Sequence, residues 1–165
     1  MSFFGRRQPS AKKLLLTVFW DAKHVYVAEY LEAGKTVNSS RYIEKLKHLR
    51  RRVCRVRNCT KPIILQHDNA RPHTSRATAE AVVRLKFETV PHPPYSPDLA
   101  PCDFHFFPNL KRDLRGIHFT TDDEVKDAVK SWIKERPPEF LVDGMRQLVH
   151  RWEKCVAVNG DYVEE

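Results

Sequence analysis

The order of apolar and polar residues divides the chain into strand-like and helix-like segments. Residues 14–20 (LLLTVFW) and 25–31 (VYVAEYL) are rich in β-branched and aromatic residues and are joined by the polar DAKH, which predicts a hairpin. In residues 40–56, apolar residues recur at steps of three and four, which predicts a helix with Asn38 or Ser39 as a candidate N-cap. The inward face of that helix is expected to contain Tyr42, Leu46, Leu49, Val53 and Val56.

The middle of the chain alternates between short strands, a helix and a loop. An apolar run predicts a buried strand over residues 62–67, and residues 75–86 are expected to form a helix. Residues 87–92 fit another short strand. Six of the eleven prolines lie between positions 91 and 108, a density that excludes helix and central strand and predicts a stiff, turn-rich loop.

The last third of the chain is predicted to be helical. One helix begins at Asp103, and the next begins with a capping box formed by Thr121 and Glu124. A final helix is expected over about residues 139–156. The resulting order, ββαβαβααα, is a mixed α/β pattern, and no repeat or flexible linker divides it. The inner faces of the last two helices are expected to contain Val125, Val129, Trp132 and Ile133, and then Leu141, Met145, Leu148, Trp152 and Cys155.

Composition narrows the class of protein. A chain of 165 residues suits one domain, and no run of about 18 apolar residues is present that would cross a membrane. The first residues, MSFFGRRQPSAKK, lack the apolar centre of a signal peptide, so we expect an intracellular protein. The cysteines at positions 54, 59, 102 and 155 form no CxxC pair and no zinc-site spacing, and we expect four reduced, unpaired thiols.

Positive charge is concentrated in one segment. Residues 41–61 contain nine Lys or Arg residues against one acid, Glu44, and so carry a charge equal to the net +8 of the whole chain. A local cluster of this density suits a polyanionic partner, and the alternative is a solvated helix face. The candidate contacts are Arg41, Lys45, Lys47, Arg50, Arg51, Arg52, Arg55 and Arg57.

Two aspartates follow predicted strands. Asp68 ends the strand over residues 62–67, and Asp103 lies beyond the next strand at the start of a helix. Neighbouring strand ends gather at one rim of an α/β sheet, where two carboxylates can hold a hard cation such as Mg²⁺. A pair of such ions, roughly 4 Å apart, can activate an attacking oxygen and stabilise a leaving one. The alternative is that Asp68 caps the following turn and Asp103 caps its helix.

Two neighbouring residues are ambiguous in the same way. Asp98 competes with Asp103 on chemistry alone, although its SPDL sequence has an ordinary explanation as a turn. His73 can approach a phosphate, or it can close the turn before the following helix. The residues themselves leave both alternatives open.

Three motifs carry a more specific signal. They are HDNARPHTS at 67–75, PHPPYSPDLAPCDFHFF at 91–107, and RWEKCV followed by NGDY near the end of the chain. Together they resemble the catalytic domain of mariner-type (Tc1/mariner) transposases over about residues 12–163. Thirty-four residues separate Asp68 from Asp103, which is the mariner spacing of the second and third catalytic aspartates.

The resemblance implies a ribonuclease H-like fold, a mixed sheet flanked by helices. It implies cut-and-paste DNA transposition, in which metal-dependent hydrolysis of the transposon ends precedes strand transfer by the freed 3′ hydroxyl. Asp68 and Asp103 would be the catalytic residues and the ligands of Mg²⁺ or Mn²⁺, and the basic cluster and His73 would contact DNA. The implied partners are transposon ends, target DNA and a second copy of the chain, with no membrane, in the nucleus.

The sequence departs from the family in its first residues. The family carries another catalytic aspartate, in a Gly-Asp-Glu motif on a strand upstream of VFWD, and helix-turn-helix domains before it, and the sequence contains neither. Asp21 occupies a position where the family has an additional Asp, so the match does not support it as a ligand. We therefore expect the first, central strand to be missing, residues 1–12 to be irregular, and residues 13–163 to form a partial, impaired catalytic domain. The alternative is a non-catalytic, sequence-independent DNA-binding protein derived from a transposase.

Overall fold

A computed structural model describes residues 2–4, 14–31 and 34–157, which belong to two compact units. The first unit contains the chain up to residue 33 and again from residue 97, and the second contains residues 34–96. Neither boundary was predicted.

The strands are β1 (Ser2–Phe4), β2 (Leu14–Trp20), β3 (Val25–Tyr30), β4 (Ile63–Leu65) and β5 (Phe87–Thr89). The helices are α1 (Ser39–Val56), α2 (Arg71–Thr74), α3 (Arg76–Arg84), α4 (Phe107–Asp113), α5 (Asp122–Glu135) and α6 (Pro138–Ala157). Within the described part of the chain, no helix is long and apolar enough to cross a membrane.

The predicted hairpin is confirmed as β2 and β3 in the first unit. Its turn is closed by Asp21, whose Oδ1 accepts the backbone N–H groups of Lys23 and His24, each at 2.8 Å. The other carboxylate oxygen accepts a hydrogen bond from the Tyr26 hydroxyl at 2.9 Å. Asp21 therefore has a structural role in the turn.

The first strand corrects the expectation that residues 1–12 are irregular. Residues 2–4 form β1, which pairs antiparallel with β2 in the register Ser2↔Leu16 to Phe4↔Leu14. Phe is enriched in strands, and the edge of β2 offers unpaired backbone groups that an extended segment can bond. Residues 5–13, the rest of the predicted irregular segment, lie outside the described residues.

The core of the first unit lies between β2 and the helices that follow the proline-rich loop. It contains Leu16 and Val18 of β2 with Phe106, Leu110 of α4 and Trp132 of α5, all buried. The predicted capping box of α5 is present, and Val125, Val129 and Trp132 point inward as expected. The helix predicted at Asp103 begins as a π-helical turn over Cys102–Phe106, which runs directly into α4.

Helix α6 approaches this core most closely at Gly144. A Cβ atom built on Gly144 would lie 2.6 Å from Cη2 of Trp20 and 2.7 Å from Cδ2 of His105. Both rings are held in place, because the Trp20 indole N–H donates to Sγ of Cys102 at 3.3 Å and Nε2 of His105 lies 2.7 Å from the Phe140 carbonyl oxygen. Gly144 is therefore required by the packing of the two rings.

In the second unit, α1 packs against α2 and α3, and β4 pairs in parallel with β5. The Asn38 side chain caps α1 by accepting the Arg41 N–H at 2.9 Å. The inward face of α1 is as predicted except at its end, where Val56 is 53% exposed. The strand predicted over residues 62–67 is shorter than expected and only half buried, since Ile64 is 70% exposed.

The prediction of four unpaired thiols is wrong for one pair. Cys54 and Cys59 form a disulfide, with Cα atoms 5.0 Å apart. Helix α1 ends at Val56, and the chain after Arg57 turns back, which brings Cys59 into the range that a disulfide needs. Within the described part of the chain, Cys102 and Cys155 form no disulfide, as expected.

Candidate functional site

Asp68 lies between the end of β4 and the start of α2, at the place that the sequence predicted. Its Oδ1 accepts the backbone N–H of Ala70 at 3.0 Å, which is the turn-capping bond considered as the structural alternative. The carboxylate is also partly accessible, with 34% of the side chain exposed. The capping role is therefore confirmed, and it leaves the carboxylate at the surface of the second unit.

His73 provides the second hydrogen bond to the same oxygen. Its Nδ1 lies 2.6 Å from Oδ1 of Asp68, and because an ionised carboxylate only accepts, the Nδ1–H group donates. This bond, with the Ala70 N–H after it, holds the pKa of Asp68 well below its usual range against the opposing effect of burial. Asp68 is therefore ionised at neutral pH, the form that binds a metal ion.

Two further rings surround His73. The Tyr42 ring centroid lies 4.0 Å from that of His73, and the His67 ring stacks on His73 at 5.3 Å with an interplanar angle of 6°. Burial, with the neighbouring His73, lowers the pKa of His67 to about 4, so this ring is neutral. Burial also raises the pKa of Tyr42 far above its usual range. The Tyr42 hydroxyl and Nδ1 of His67 form a hydrogen bond at 2.7 Å.

The position of His73 favours one of its two predicted roles. The residue is only 8% exposed, and its ring closes the turn between Asp68 and α3. A buried ring with its Nδ1–H committed to Asp68 is poorly placed to reach a phosphate, so DNA contact by His73 receives no support. Sequence reasoning missed Tyr42 and His67 as members of this cluster, although His67 adjoins Asp68 directly.

Asp103 lies in the first unit, within the π-helical turn that precedes α4. Its backbone N–H donates to the Ala100 carbonyl at 2.8 Å, and the residue is half-buried. Asp98, its predicted competitor, precedes it in a short 3₁₀ turn, where its Oδ1 is buried with no hydrogen-bond partner among the described residues. The guanidinium of Arg151 lies 4.3 Å from the Phe104 ring centroid, and its Nη1 is 3.4 Å from the Asp98 carbonyl oxygen.

The two predicted ligands thus lie in different units. Among the described residues, no group of three or more His, Cys, Asp or Glu side chains is arranged to hold a metal ion. The chemistry of the donors nevertheless fits Mg²⁺ or Mn²⁺, because both ions bind carboxylate oxygens. Asp68 fits best on its own geometry, since it is ionised, accessible and held by two hydrogen bonds.

The predicted basic cluster occupies α1 and the turn after it. Its first half makes local contacts: Nη1 of Arg41 donates to the Thr36 carbonyl at 2.6 Å, and Lys47 pairs with Glu44 at 2.6 Å. Nη1 of Arg50 lies 3.5 Å from the Lys86 carbonyl oxygen, a long contact. Lys45 is half-buried. The exposed basic side chains are those of Arg51, Arg52, Arg55, Arg57 and Lys61.

Comparison with known proteins gives matches over most of the chain. The family described as transposase (partial DDE domain) matches residues 4–61. The Mariner Mos1 transposase of Drosophila mauritiana is 40% identical over 157 residues, which are 93% of this chain and 46% of that protein. The histone-lysine N-methyltransferase SETMAR of Homo sapiens is 34% identical over 157 residues, 93% of this chain and 23% of that protein. The chain therefore spans less than half the length of either relative.

Solved structures give the same result in three dimensions. The catalytic domain of Mos1 mariner transposase superposes with a TM-score of 0.90 at 38% identity, covering 99% of this chain and 81% of that one. The Mos1 catalytic domain with raltegravir and Mg gives a TM-score of 0.86 at 39% identity, covering 92% and 78%. The Mos1 paired-end complex with the left transposon end gives 0.89 at 39%, covering 98% and 48%. The ribonuclease H-like fold implied by the resemblance is thereby confirmed.

Proposed function

The chain belongs to the mariner-type transposases, and from this membership we propose that its residues perform metal-dependent cleavage and strand transfer of DNA. The observation that carries the proposal is Asp68, an ionised carboxylate fixed by Ala70 and His73 at the end of a strand. The match to a Mos1 catalytic domain that contains Mg supports the choice of Mg²⁺ or Mn²⁺ as cofactor.

In this proposal Asp68 and Asp103 are the protein's ligands for the metal. When bound, the metal activates the attacking oxygen and stabilises the leaving oxygen of the phosphodiester. Asp68 contributes an oxygen whose charge is maintained by hydrogen bonds, so that the site needs no proton release from this carboxyl at neutral pH. Asp103 contributes a carboxylate at the beginning of a helical segment, where a negative charge is favourable.

We further propose that residues 1–165 by themselves cleave DNA slowly. The sequence contains no Gly-Asp-Glu motif, which is where the resemblance placed another catalytic aspartate. Affinity for a hard cation depends on the number and charge of its ligands, so two carboxylates hold the metal more weakly than three. The reduced rate is therefore expected to recover partly at high Mn²⁺ concentration.

We expect nicking of supercoiled plasmid by this chain to require Mg²⁺ or Mn²⁺ and to depend on Asp103. Removal of the metal with EDTA, or Asp103→Ala, is expected to lower nicking to the level of a no-protein control, since each removes part of the metal site. The assay measures the fraction of nicked plasmid over time at several Mn²⁺ concentrations. Equal nicking by the wild type and Asp103→Ala would contradict the assignment of Asp103.

A second candidate function, DNA binding without catalysis, is favoured by the exposed arginines of α1. Arg51, Arg52 and Arg55 all lie on the last turns of α1. The described part of that helix has no acidic residue after Glu44. Basic side chains of this kind bind phosphates without reading base sequence. This function requires neither Asp68 nor Asp103.

Replacing Arg51, Arg52 and Arg55 together by Gln is expected to weaken DNA binding and its salt dependence. Each lost phosphate contact lowers the slope of log affinity against log salt by roughly 0.9, so three contacts lower it by about 3. Fluorescence anisotropy with a labelled duplex between low and moderate salt measures both quantities. As a matched control of equal charge change, Lys130, Lys134 and Arg146 are exposed residues of the first unit. If both triple variants change the slope equally, the α1 surface has no special role.

The partners follow from the same membership. The Mos1 transposase forms a paired-end complex with its left transposon end, and we propose that this chain likewise binds transposon-end and target DNA, as a homodimer. Its proposed site of action is the nucleus, where its DNA substrate is found.

A further inference from the structure

We propose that His73 is a positioning residue that sets the orientation in which the Asp68 carboxylate meets the metal ion. The inference rests on the proposed function, because it assigns a role to a neighbour of a proposed ligand. It concerns the geometry of Asp68 and not direct contact between His73 and metal or DNA.

Two hydrogen bonds restrain the Asp68 carboxylate. The terminal torsion of an Asp side chain is broad and roughly two-fold, so an exposed carboxylate rotates readily. Here Oδ1 accepts from two directions, the Ala70 N–H at 3.0 Å and the His73 Nδ1–H at 2.6 Å. Two donors on one oxygen fix the plane of the carboxylate, and the direction of the other oxygen is fixed with it.

His73 is itself held rigidly in place. Its ring lies 4.0 Å from the Tyr42 ring and is stacked on His67, and Tyr42 and His67 are joined by a 2.7 Å hydrogen bond. The segment that carries His73 is attached to α3, because the Thr78 hydroxyl donates to the Pro72 carbonyl at 2.6 Å. A buried ring held on these sides cannot follow a rotating carboxylate, so it restrains the carboxylate instead.

A purely structural role and a positioning role for His73 predict opposite results for two variants of this residue. His73→Phe keeps an aromatic ring between Tyr42 and His67 but removes the donor. His73→Asn loses the ring but keeps an N–H donor close to the position of Nδ1. If His73 only fills space, the Phe variant resembles the wild type. If it positions Asp68, the Asn variant does.

The test measures Mn²⁺ affinity of the full 165-residue chain by the electron paramagnetic resonance signal of free Mn²⁺. Mutation of a residue that hydrogen-bonds to a metal ligand typically lowers the affinity for the metal by about 10- to 100-fold. We expect His73→Phe to bind Mn²⁺ at least about tenfold more weakly than the wild type, and His73→Asn to stay within about threefold. Thermal melting by circular dichroism establishes that each variant folds. If His73→Phe shows no cooperative transition, His73→Leu replaces it, since leucine is apolar and also has no hydrogen-bond donor.

Each of the following results would overturn the inference. Wild-type Mn²⁺ affinity in the folded Phe variant means that the donor is not needed. Equal losses in the Phe and Asn variants mean that a donor at this position does not restore the geometry of Asp68. Equal Mn²⁺ affinity of the wild type and Asp68→Asn would overturn the proposed function itself, and the inference with it. Binding that depends on Asp68 but not on the His73 donor overturns the inference alone.

Discussion

Asp68→Asn is expected to lower the rate of metal-dependent nicking by roughly 100-fold or more, which corresponds to about 2.7 kcal/mol of transition-state stabilisation. The amide keeps an oxygen that can accept the Ala70 N–H and the His73 Nδ1–H, so the turn is preserved. The substitution removes the negative charge that a hard cation requires. The measurement is the initial rate of plasmid nicking at saturating Mn²⁺, with melting curves for both proteins.

Asp21→Asn is the matched control for this experiment. Asp21 also follows a strand, and its Oδ1 also accepts backbone N–H groups, those of Lys23 and His24. Because it closes a hairpin and has no proposed role in the chemistry, its variant is expected to nick DNA at the wild-type rate. A similar loss in both variants would show that the assay reports folding, and an unchanged rate in Asp68→Asn would reject the metal site.

Gly144→Val is expected to destabilise the first unit by about 3 kcal/mol or more. Its Cβ would lie within 3 Å of both Trp20 and His105, whose rings are fixed by hydrogen bonds. Overpacking of this kind costs roughly 1–3 kcal/mol before the two γ-methyl groups of valine are counted. For a chain of this size each kcal/mol lowers the melting temperature by about 2–4 °C. We therefore expect a decrease of roughly 10 °C, measured by circular dichroism.

Gln147→Val separates this packing effect from the helix propensity of valine. Gln147 lies on the same helix and is exposed, so the substitution introduces the same side chain without a new contact. Its expected effect is within about 0.5 kcal/mol. Equal decreases at positions 144 and 147 would mean that valine is poorly tolerated in α6 as a whole, and that the contacts of Gly144 do not limit its size.

The elements with strong local signals were predictable from the sequence. The hairpin, α1 and α5 follow from periodicity and from caps such as Asn38 and Thr121, which act within a few residues. The errors lie where contacts between distant parts of the chain determine the local structure. The apolar sequence of β4 suggested a fully buried strand, yet only Leu65 is buried in it. Strand β1 was missed because its three residues are extended by pairing with β2.

The site was predictable in part for the same reason. Asp68 was predicted because it follows an apolar strand, and His73 was a candidate in the same short motif, but the hydrogen bond between them was not predicted. Tyr42 lies 25 residues before His67, on a helix where its periodicity indicated only a core position, and nothing local indicates that its ring would pack on His73. The end of α1 was predicted correctly, but the disulfide depends on the path of the chain after Val56, which the periodicity of the helix does not predict.

The capping role of Asp68 and its proposed role in metal binding reside in different properties of one side chain, and this has an evolutionary consequence. The turn uses Oδ1 as an acceptor, whereas the proposed chemistry would use the charge. A single-base change to asparagine would therefore silence cleavage while selection for a folded chain would not detect it. The exposed arginines of α1 would remain, so a lineage that lost cleavage in this way would keep a folded chain with the surface that we propose binds DNA.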